Sequence, residues 1–335
     1  MNQKELAALA GVSPATVSLV LNNKKGVGEE KRRRILALLK ENGYAVSQEE
    51  SPSSTDSILL IKYSTHGILV EENAGFVSAI IDSIQAGCLK KGLQLSIRFV
   101  KNNLAEALEA IHFPNYQGVI LLGTELLPSD YPLLEKIPLP HVVVDNEMPS
   151  CPCCSVVMDN DRGVREALFH LAALGHREIA YFSSSLPIQN FADRSRAFHQ
   201  AVQELGMTCL PQHEFKLQPS LMGACGSMET YLEQGSSLPS CAFADNDTIA
   251  IGAMRALQKH GIRIPQDISV IGFDDIQYAS IHSPTLSTIR IPREVIGTVA
   301  LEHLQLCIAS PEITGVKTRI SGVLIPRHST AALTL

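Results

Sequence analysis

From Ile58 onward the chain alternates short apolar runs with longer amphipathic stretches, and this alternation leaves few folds open. Ile58-Leu-Leu-Ile61, Leu95-Ser-Ile-Arg-Phe99, Gly118-Val-Ile-Leu-Leu122 and His141-Val-Val-Val144 are short and almost continuously apolar, so they read as buried strands. Helical spacing fills the intervals at 75–91 and 104–111, with a short helix near 130–136. The pattern then repeats. Helices are expected over 161–174, 193–205, 226–233 and 248–260, and strands after Gly175 up to Phe182 and at 241–243 and 268–273. Strands apolar on both faces, with helices between them, imply parallel sheets covered on both sides. The body therefore reads as α/β, with two doubly wound parallel-sheet lobes. Such sheets bind ligands beyond the carboxyl ends of their strands, so two facing lobes make a cleft.

The first 45 residues follow a different rule. Asn2 can cap a helix, with Glu5 three residues on as a capping box requires. Leu6, Leu9 and Ala10 give that helix an apolar face, and Gly11 ends it. Ser13 caps a second helix with Pro14 at its first position, and Val17, Val20 and Leu21 form its buried side. Two helices joined by a three-residue turn have the geometry of a DNA-binding helix-turn-helix, although an ordinary helical hairpin would show the same spacing. A third helix over 29–42 carries Lys31, Arg32, Arg33, Arg34 and Lys40. Residues 1–45 hold eight Lys/Arg against four Glu, net +4, whereas the whole chain is −6, leaving −10 for the remainder. A basic head on an acidic body is the footprint of a protein in which only the head meets phosphate.

At 335 residues the chain is long enough for two or three folded units. No run of about eighteen apolar residues is present, so no membrane span is expected. The N-terminus is a helix motif rather than a charged stub and an apolar run, so the protein is expected to stay in the cytoplasm. The eight cysteines lack framework spacing. Cys151-Pro-Cys153-Cys154 is their one cluster, expected to be a loop of small apolar residues rather than a metal or redox site. No nucleophile elbow, phosphate loop, metal-binding His pair or dinucleotide fingerprint occurs, so no catalytic residue, cofactor or metal is expected. The acid pairs Asp159/Asp161 and Asp274/Asp275 are explained as loop and cap residues.

Residues 46–57 form a linker: polar, acidic, rich in Ser and interrupted by Pro52.

Ala10-Gly-Val-Ser-Pro-Ala-Thr-Val-Ser-Leu-Val-Leu-Asn22, with Arg34-Ile-Leu and Asn42-Gly-Tyr44, resembles the head of the LacI/GalR transcriptional regulators. The resemblance runs on through Val157-Met-Asp-Asn-Asp-Arg-Gly163, His170 to Ala180, Ala244-Asp-Asn-Asp-Thr-Ile-Ala-Ile-Gly252, Gly261 to Asp275, Ser283-Pro-Thr-Leu-Ser-Thr-Ile289 and Leu324-Ile-Pro-Arg-His-Ser-Thr330. It implies a two-lobed body of periplasmic-binding-protein type over 58–332. The N-lobe would be about 58–156 plus 288–316, and the C-lobe about 157–287 plus 317–332. It also implies operator recognition from the second helix. Pro14, Ala15 and Leu19 would meet bases through apolar contacts, chiefly to thymine methyls. Ser13, Thr16, Ser18 and Asn22 would hold phosphate, and Arg32 of the basic helix completes the DNA-binding set. Relatives have an Ala-Arg-x-Leu hinge helix at the linker; this chain has no such motif, so its linker is expected to stay extended and to bend DNA little.

The resemblance also assigns effector positions. Arg194, Asn246 and Asp274 match residues that hydrogen-bond the family's ligand, and Asp145 and Phe76 are further candidates. Asn246 could equally be a helix cap and Asp274 a turn residue. The family's aromatic position before Gly297 reads Ile291-Pro292-Arg293 here, so Phe191 or Tyr278 would have to substitute. The implied protein is a homodimeric, ligand-regulated repressor of operator DNA whose small effector is a sugar or sugar derivative. A transport-type binding protein and a regulator controlled by a protein corepressor remain the alternatives.

Overall fold

A computed structural model describes residues 56–67 and 74–333 and, nearer the N-terminus, residues 7, 11–13, 16, 17, 20, 27, 28, 31, 35 and 38. The chain divides into two compact units, Met1–Thr55 and Asp56–Leu335.

In the N-terminal unit the turn chemistry follows the sequence. Gly11 takes φ +63°, and the Val12 N–H donates to the Ala7 carbonyl at 2.9 Å. This is the closing bond of a Schellman cap, which needs a left-handed residue at the position of Gly11. The Thr16 N–H donates to the Ser13 hydroxyl at 3.2 Å, as an N-cap does. Ala7, Val17, Val20 and Ile35 are buried together, with Val12, Val27 and Leu38 packed against them. The candidate DNA contacts Pro14, Ala15, Ser18, Leu19, Asn22 and Arg32 lie outside the described residues, as do linker residues 46–55.

The body begins with β1 (Ser57–Ser64), so the linker ends before residue 57. Then come α1 (Ala74–Lys90), β2 (Gln94–Lys101), α2 (Leu104–Glu109), β3 (Gly118–Leu122), β4 (His141–Val144) and β5 (Cys154–Met158). The stretch expected as a helix near 130–136 is 3-10 helix over Pro128–Lys136. The first sheet has the order β11-β5-β4-β3-β1-β2, where β11 is Lys317–Ile320, and every pairing is parallel. Along β1, Ile58 and Leu60 enter one buried cluster while Leu59, Ile61 and Tyr63 enter another. Both faces of the strand are covered, which is why its sequence is apolar at successive positions. The edge strand β2 instead leaves most of its side chains exposed or half-buried, Phe99 among the exposed.

The second lobe contains α3 (Asn160–Ala173), β6 (Ile179–Ser184), α4 (Gln189–Glu204), β7 (Glu214–Leu217), α5 (Leu221–Glu233), β8 (Cys241–Ala244), α6 (Asp247–Lys259), β9 (Ser269–Ile271) and α7 (Gln277–Ile281). Its parallel sheet has the order β7-β6-β8-β9. Ile179 and Tyr181 face one core cluster, and Ala180 and Phe182 the other. The antiparallel pair β10 (Thr288–Arg290) and β12 (Val323–Ile325) flanks the return to the first lobe, where α8 (Arg293–Ala309) packs beside α1.

Several further details differ from the sequence reading. Cys154 opens strand β5 instead of lying in a loop, because Ser155-Val-Val-Met158 continues the apolar run behind Pro152. The first sheet recruits β11, so Lys317–Ile320 belongs with the first lobe and the chain returns to the second lobe after 320 rather than after 316. The helix expected from 193 starts at Gln189, placing Arg194 inside its second turn. Helix α8 has no counterpart in the sequence reading.

Candidate functional site

Polar side chains converge where the two sheets present the carboxyl ends of their strands. Thr124 follows β3, Asp145 follows β4 directly, Asp245 and Asn246 follow β8, and Asp274 follows β9. Helix α4 brings Asn190 and Arg194, and α1 brings Phe76 in its first turn. Phe76, Thr124, Asp145, Asn190, Phe191, Arg194, Asn246 and Asp274 line one cavity, of about 30 Å³. That volume holds a water or two and nothing larger. Of the candidate aromatics, Phe191 lines the cavity, whereas Tyr278 is exposed and does not. A separate cavity of about 380 Å³, sharing Ile188 and Phe191 as walls, is lined by Tyr181, Ser184, Glu214 and Lys216 among others.

Arg194 is buried and its donors stay within the protein. Its Nε donates to Asn160 Oδ1 at 2.8 Å, one terminal nitrogen to the Asp245 carbonyl, and the other to Asp274 Oδ1 at 3.2 Å. The guanidinium lies over the Phe273 ring, 3.8 Å from its centroid. The flat face of a weakly hydrated cation on an aromatic face is one way to keep such a charge in a dry site. Its neighbourhood is tightly specified. A Cβ at Gly272 would lie 2.3 Å from Asp247 Oδ1, so only glycine fits beside the carboxylate that accepts from the Thr288 hydroxyl and the Ile276 N–H.

Asp145 accepts from the Thr124 hydroxyl at 2.6 Å and from the Asn190 amide at 2.9 Å. Burial pushes its carboxyl up to about 6, opposed by the Thr124 hydrogen bond. Burial raises Asp245 to about 6 as well, against the hydroxyl of Tyr181 at 2.6 Å. Asp247 is raised well above the usual range for the same reason, against the Thr288 hydroxyl at 2.6 Å. Asp145 and Asp274 both hold left-handed backbones, φ +65° and +108°. Such conformations cost about 1–3 kcal/mol each and cluster at ligand sites. Asn246 realises the cap reading: its Oδ1 accepts from the Ile249 N–H at 2.9 Å, while the residue still lines the cavity.

Sequence reasoning missed Asn190, Asn160, Thr124 and Arg293. Asn160 donates to Asn190 at 2.9 Å, linking Arg194 to Asp145 through two amides. Arg293, at the start of α8, donates to the carbonyls of Asp274, at 2.5 Å, and Asp275, and its guanidinium lies 5.3 Å from the Phe76 centroid. The signal available was the stretch Ile291-Pro292-Arg293, where the family resemblance implies an aromatic. Amides such as Asn190 carry no motif.

A cavity of about 410 Å³ lies at the opposite, amino ends of β4 and β5, lined by His141, Cys151, Cys153, Cys154 and Cys307 with several prolines. The Cys154 and Cys307 sulfurs are 3.4 Å apart. Burial pushes the thiols of Cys153 and Cys307 up to about 12, which keeps them protonated and unreactive. Among the described residues no group of three or more His, Cys, Asp or Glu could hold a metal ion. No helix among them is long and apolar enough to cross a membrane.

Residues 3–47 match the model of the lacI family of bacterial regulatory proteins, and residues 168–330 match a periplasmic binding protein-like domain. The chain is 30% identical over 314 residues to a ribose operon repressor of Haemophilus influenzae, covering 92% of each. It is 28% identical to the HTH-type transcriptional repressor PurR of Vibrio vulnificus, covering 90% of each. In fold it is similar to the lac repressor dimer bound to operator and an anti-inducer (TM-score 0.75, 24% identity, 99% of both chains) and to a CelR–cellobiose complex (0.72, 24%, 98% and 99%). The chain belongs to the lacI family of bacterial regulatory proteins, and its helix-turn-helix unit is a reader of operator DNA.

Proposed function

We propose that the protein is a cytoplasmic, homodimeric repressor, without catalytic activity, whose operator affinity is shifted by a small polyhydroxylated molecule bound between the lobes. The observation that carries this reading is the chemistry of the cleft. Asp145 and Asp274 are acceptors for hydroxyl groups, Arg194 sets a positive charge beside them, and Phe76 and Phe191 supply the apolar walls. A few placed polar groups on an apolar lining are what a small-ligand site requires. Relatives named for a ribose operon and a fold neighbour solved with cellobiose support a sugar. Residues Ser13, Pro14, Ala15, Thr16, Ser18, Leu19, Asn22 and Arg32 are proposed to meet operator DNA, with the linker extended.

Two basic heads on a near-palindromic site would explain affinity and specificity together. The reading is tested by selecting genomic fragments with the purified protein and measuring affinity for them with and without a panel of pentoses, hexoses and disaccharides. A change of tenfold or more with one sugar supports it. Indifference to every sugar, or a monomer on a single half-site, counts against it.

A further inference from the structure

Beside Asp145 the cleft is narrow, and Asn190 spans it. Asn190 belongs to α4 of the second lobe, yet its Nδ2 donates to Asp145 of the first lobe twice, to Oδ1 at 2.9 Å and to the carbonyl at 3.0 Å. Asn160 Nδ2 holds the other end of the same amide by donating to Asn190 Oδ1 at 2.9 Å. Asn160 in turn accepts from Arg194. An unbroken chain of hydrogen bonds therefore runs from Thr124 through Asp145, Asn190, Asn160 and Arg194 to Asp274. Asn190, Asn160, Asp145, Arg194 and Asp274 are all buried. The second contact across the lobes, Arg293 to the Asp274 and Asp275 carbonyls, lies three residues beyond β10, near the crossover, where a hinge changes distances least.

We propose that Asn190 is a built-in surrogate for the effector: its amide holds the cleft shut across the lobes, and an effector must displace it from Asp145 to bind. The Asp145 carboxylate is the acceptor a ligand hydroxyl would need, and Asn190 already occupies it. The space beside Asp145 is about 30 Å³, and the roomier cavity of about 380 Å³ lies on the far side of Ile188 and Phe191, so a ligand reaches Asp145 only when the amide withdraws. The apparent affinity for any effector is then the intrinsic affinity reduced by the small fraction of molecules with the clasp open. Asn190 thus sets the threshold at which the regulator responds, and it discriminates against ligands without hydroxyl donors to take over its two donated bonds. The binding part of this inference rests on the reading of the cleft as the effector site; the closure part does not.

The test compares Asn190→Ala with Thr124→Val in the full-length chain. Each removes a donor to Asp145, but Thr124 sits on the same lobe as Asp145 and cannot hold the lobes together. Small-angle scattering without ligand should give a larger radius of gyration for Asn190→Ala and an unchanged one for Thr124→Val. With D-ribose as the probe, calorimetry should give tighter binding to Asn190→Ala by about tenfold, the worth of a hydrogen bond to a buried charged group. An unchanged radius for Asn190→Ala, equal opening by both variants, or weaker ribose binding by Asn190→Ala would each overturn the proposal. Opening of Asn190→Ala with no ribose binding by either protein would uphold the clasp and count against the sugar reading instead. If the alanine variant does not fold, Asn190→Ser, which is too short to span the gap, is read in the same way.

Discussion

The first sheet has a cavity at each end, and the two are opposites. At the carboxyl ends, the cleft is about 30 Å³, polar and crowded with buried carboxylates around one arginine. At the amino ends, the cysteine-lined cavity is about 410 Å³ and walled by Pro138, Pro140, Pro152 and Pro311. Size alone would choose the second. Chemistry chooses the first, because Arg194 and the Asp145 amide clasp are costly to bury and persist only where each group is partnered. Convergence of partnered polar groups, and not volume, is what favours the carboxyl-end cleft as the proposed site.

Three substitutions or conditions sharpen that contrast, in descending order of effect. Arg194→Ala removes the cation buried against Asp274 and should destabilise the body by about 3–5 kcal/mol in urea unfolding, while abolishing the response to effector. A loss below about 1 kcal/mol would mean that the arginine lies in a solvent-like site. The second effect is pH-linked. Asp145 and Asp245 are raised to about 6 in the folded chain, above their unfolded values. The folded state therefore binds more protons, and their contribution is full below about pH 4 and is lost as pH rises through about 6. Asp267, held down to about 2 by Arg263, acts oppositely and only at lower pH. The melting temperature should thus fall between pH 4.5 and 7, and Asp145→Asn should flatten the fall; an equally steep fall in the variant would clear Asp145 of the effect. The smallest effect is at the other cavity. Cys307→Ala should cost about 1 kcal/mol, as a small buried group does, and leave the effector response intact. A lost response would make the cysteine cavity part of the regulatory machinery.

Much of the fold is legible in the amino-acid sequence. Near-continuous apolar runs such as Gly118 to Leu122 read as inner strands, and β3 and β4 fall where the sequence places them. Gly11 and Ser13 mark the turn of the head through caps that are local in sequence. What stays hidden is set by distant partners. β11, Lys-Thr-Arg-Ile, looks like a loop until β5 is there to pair with it. Of the site, Arg194, Asn246 and Asp274 are reached through family resemblance, Asp145 through its place at a strand end and Phe76 at a helix start, and the structure brings all five to one cavity. Asn190 is not, because an asparagine at a helix start reads as capping and its contact with Asp145 bridges 45 residues of sequence. Nor can the sequence show that the donors of Arg194 are spent on Asn160, Asp245 and Asp274.

A sugar is proposed to act on operator binding through the cleft. The most direct measurement is fluorescence anisotropy of a labelled operator fragment, selected by the protein itself, titrated with the wild type and with Asp145→Asn in the presence and absence of the responding sugar. The account predicts a shift in operator affinity of about tenfold or more for the wild type, within the usual range of coupling energies, and no shift for Asp145→Asn, whose operator affinity without sugar is retained. The same sugar-dependent shift in both proteins would contradict it.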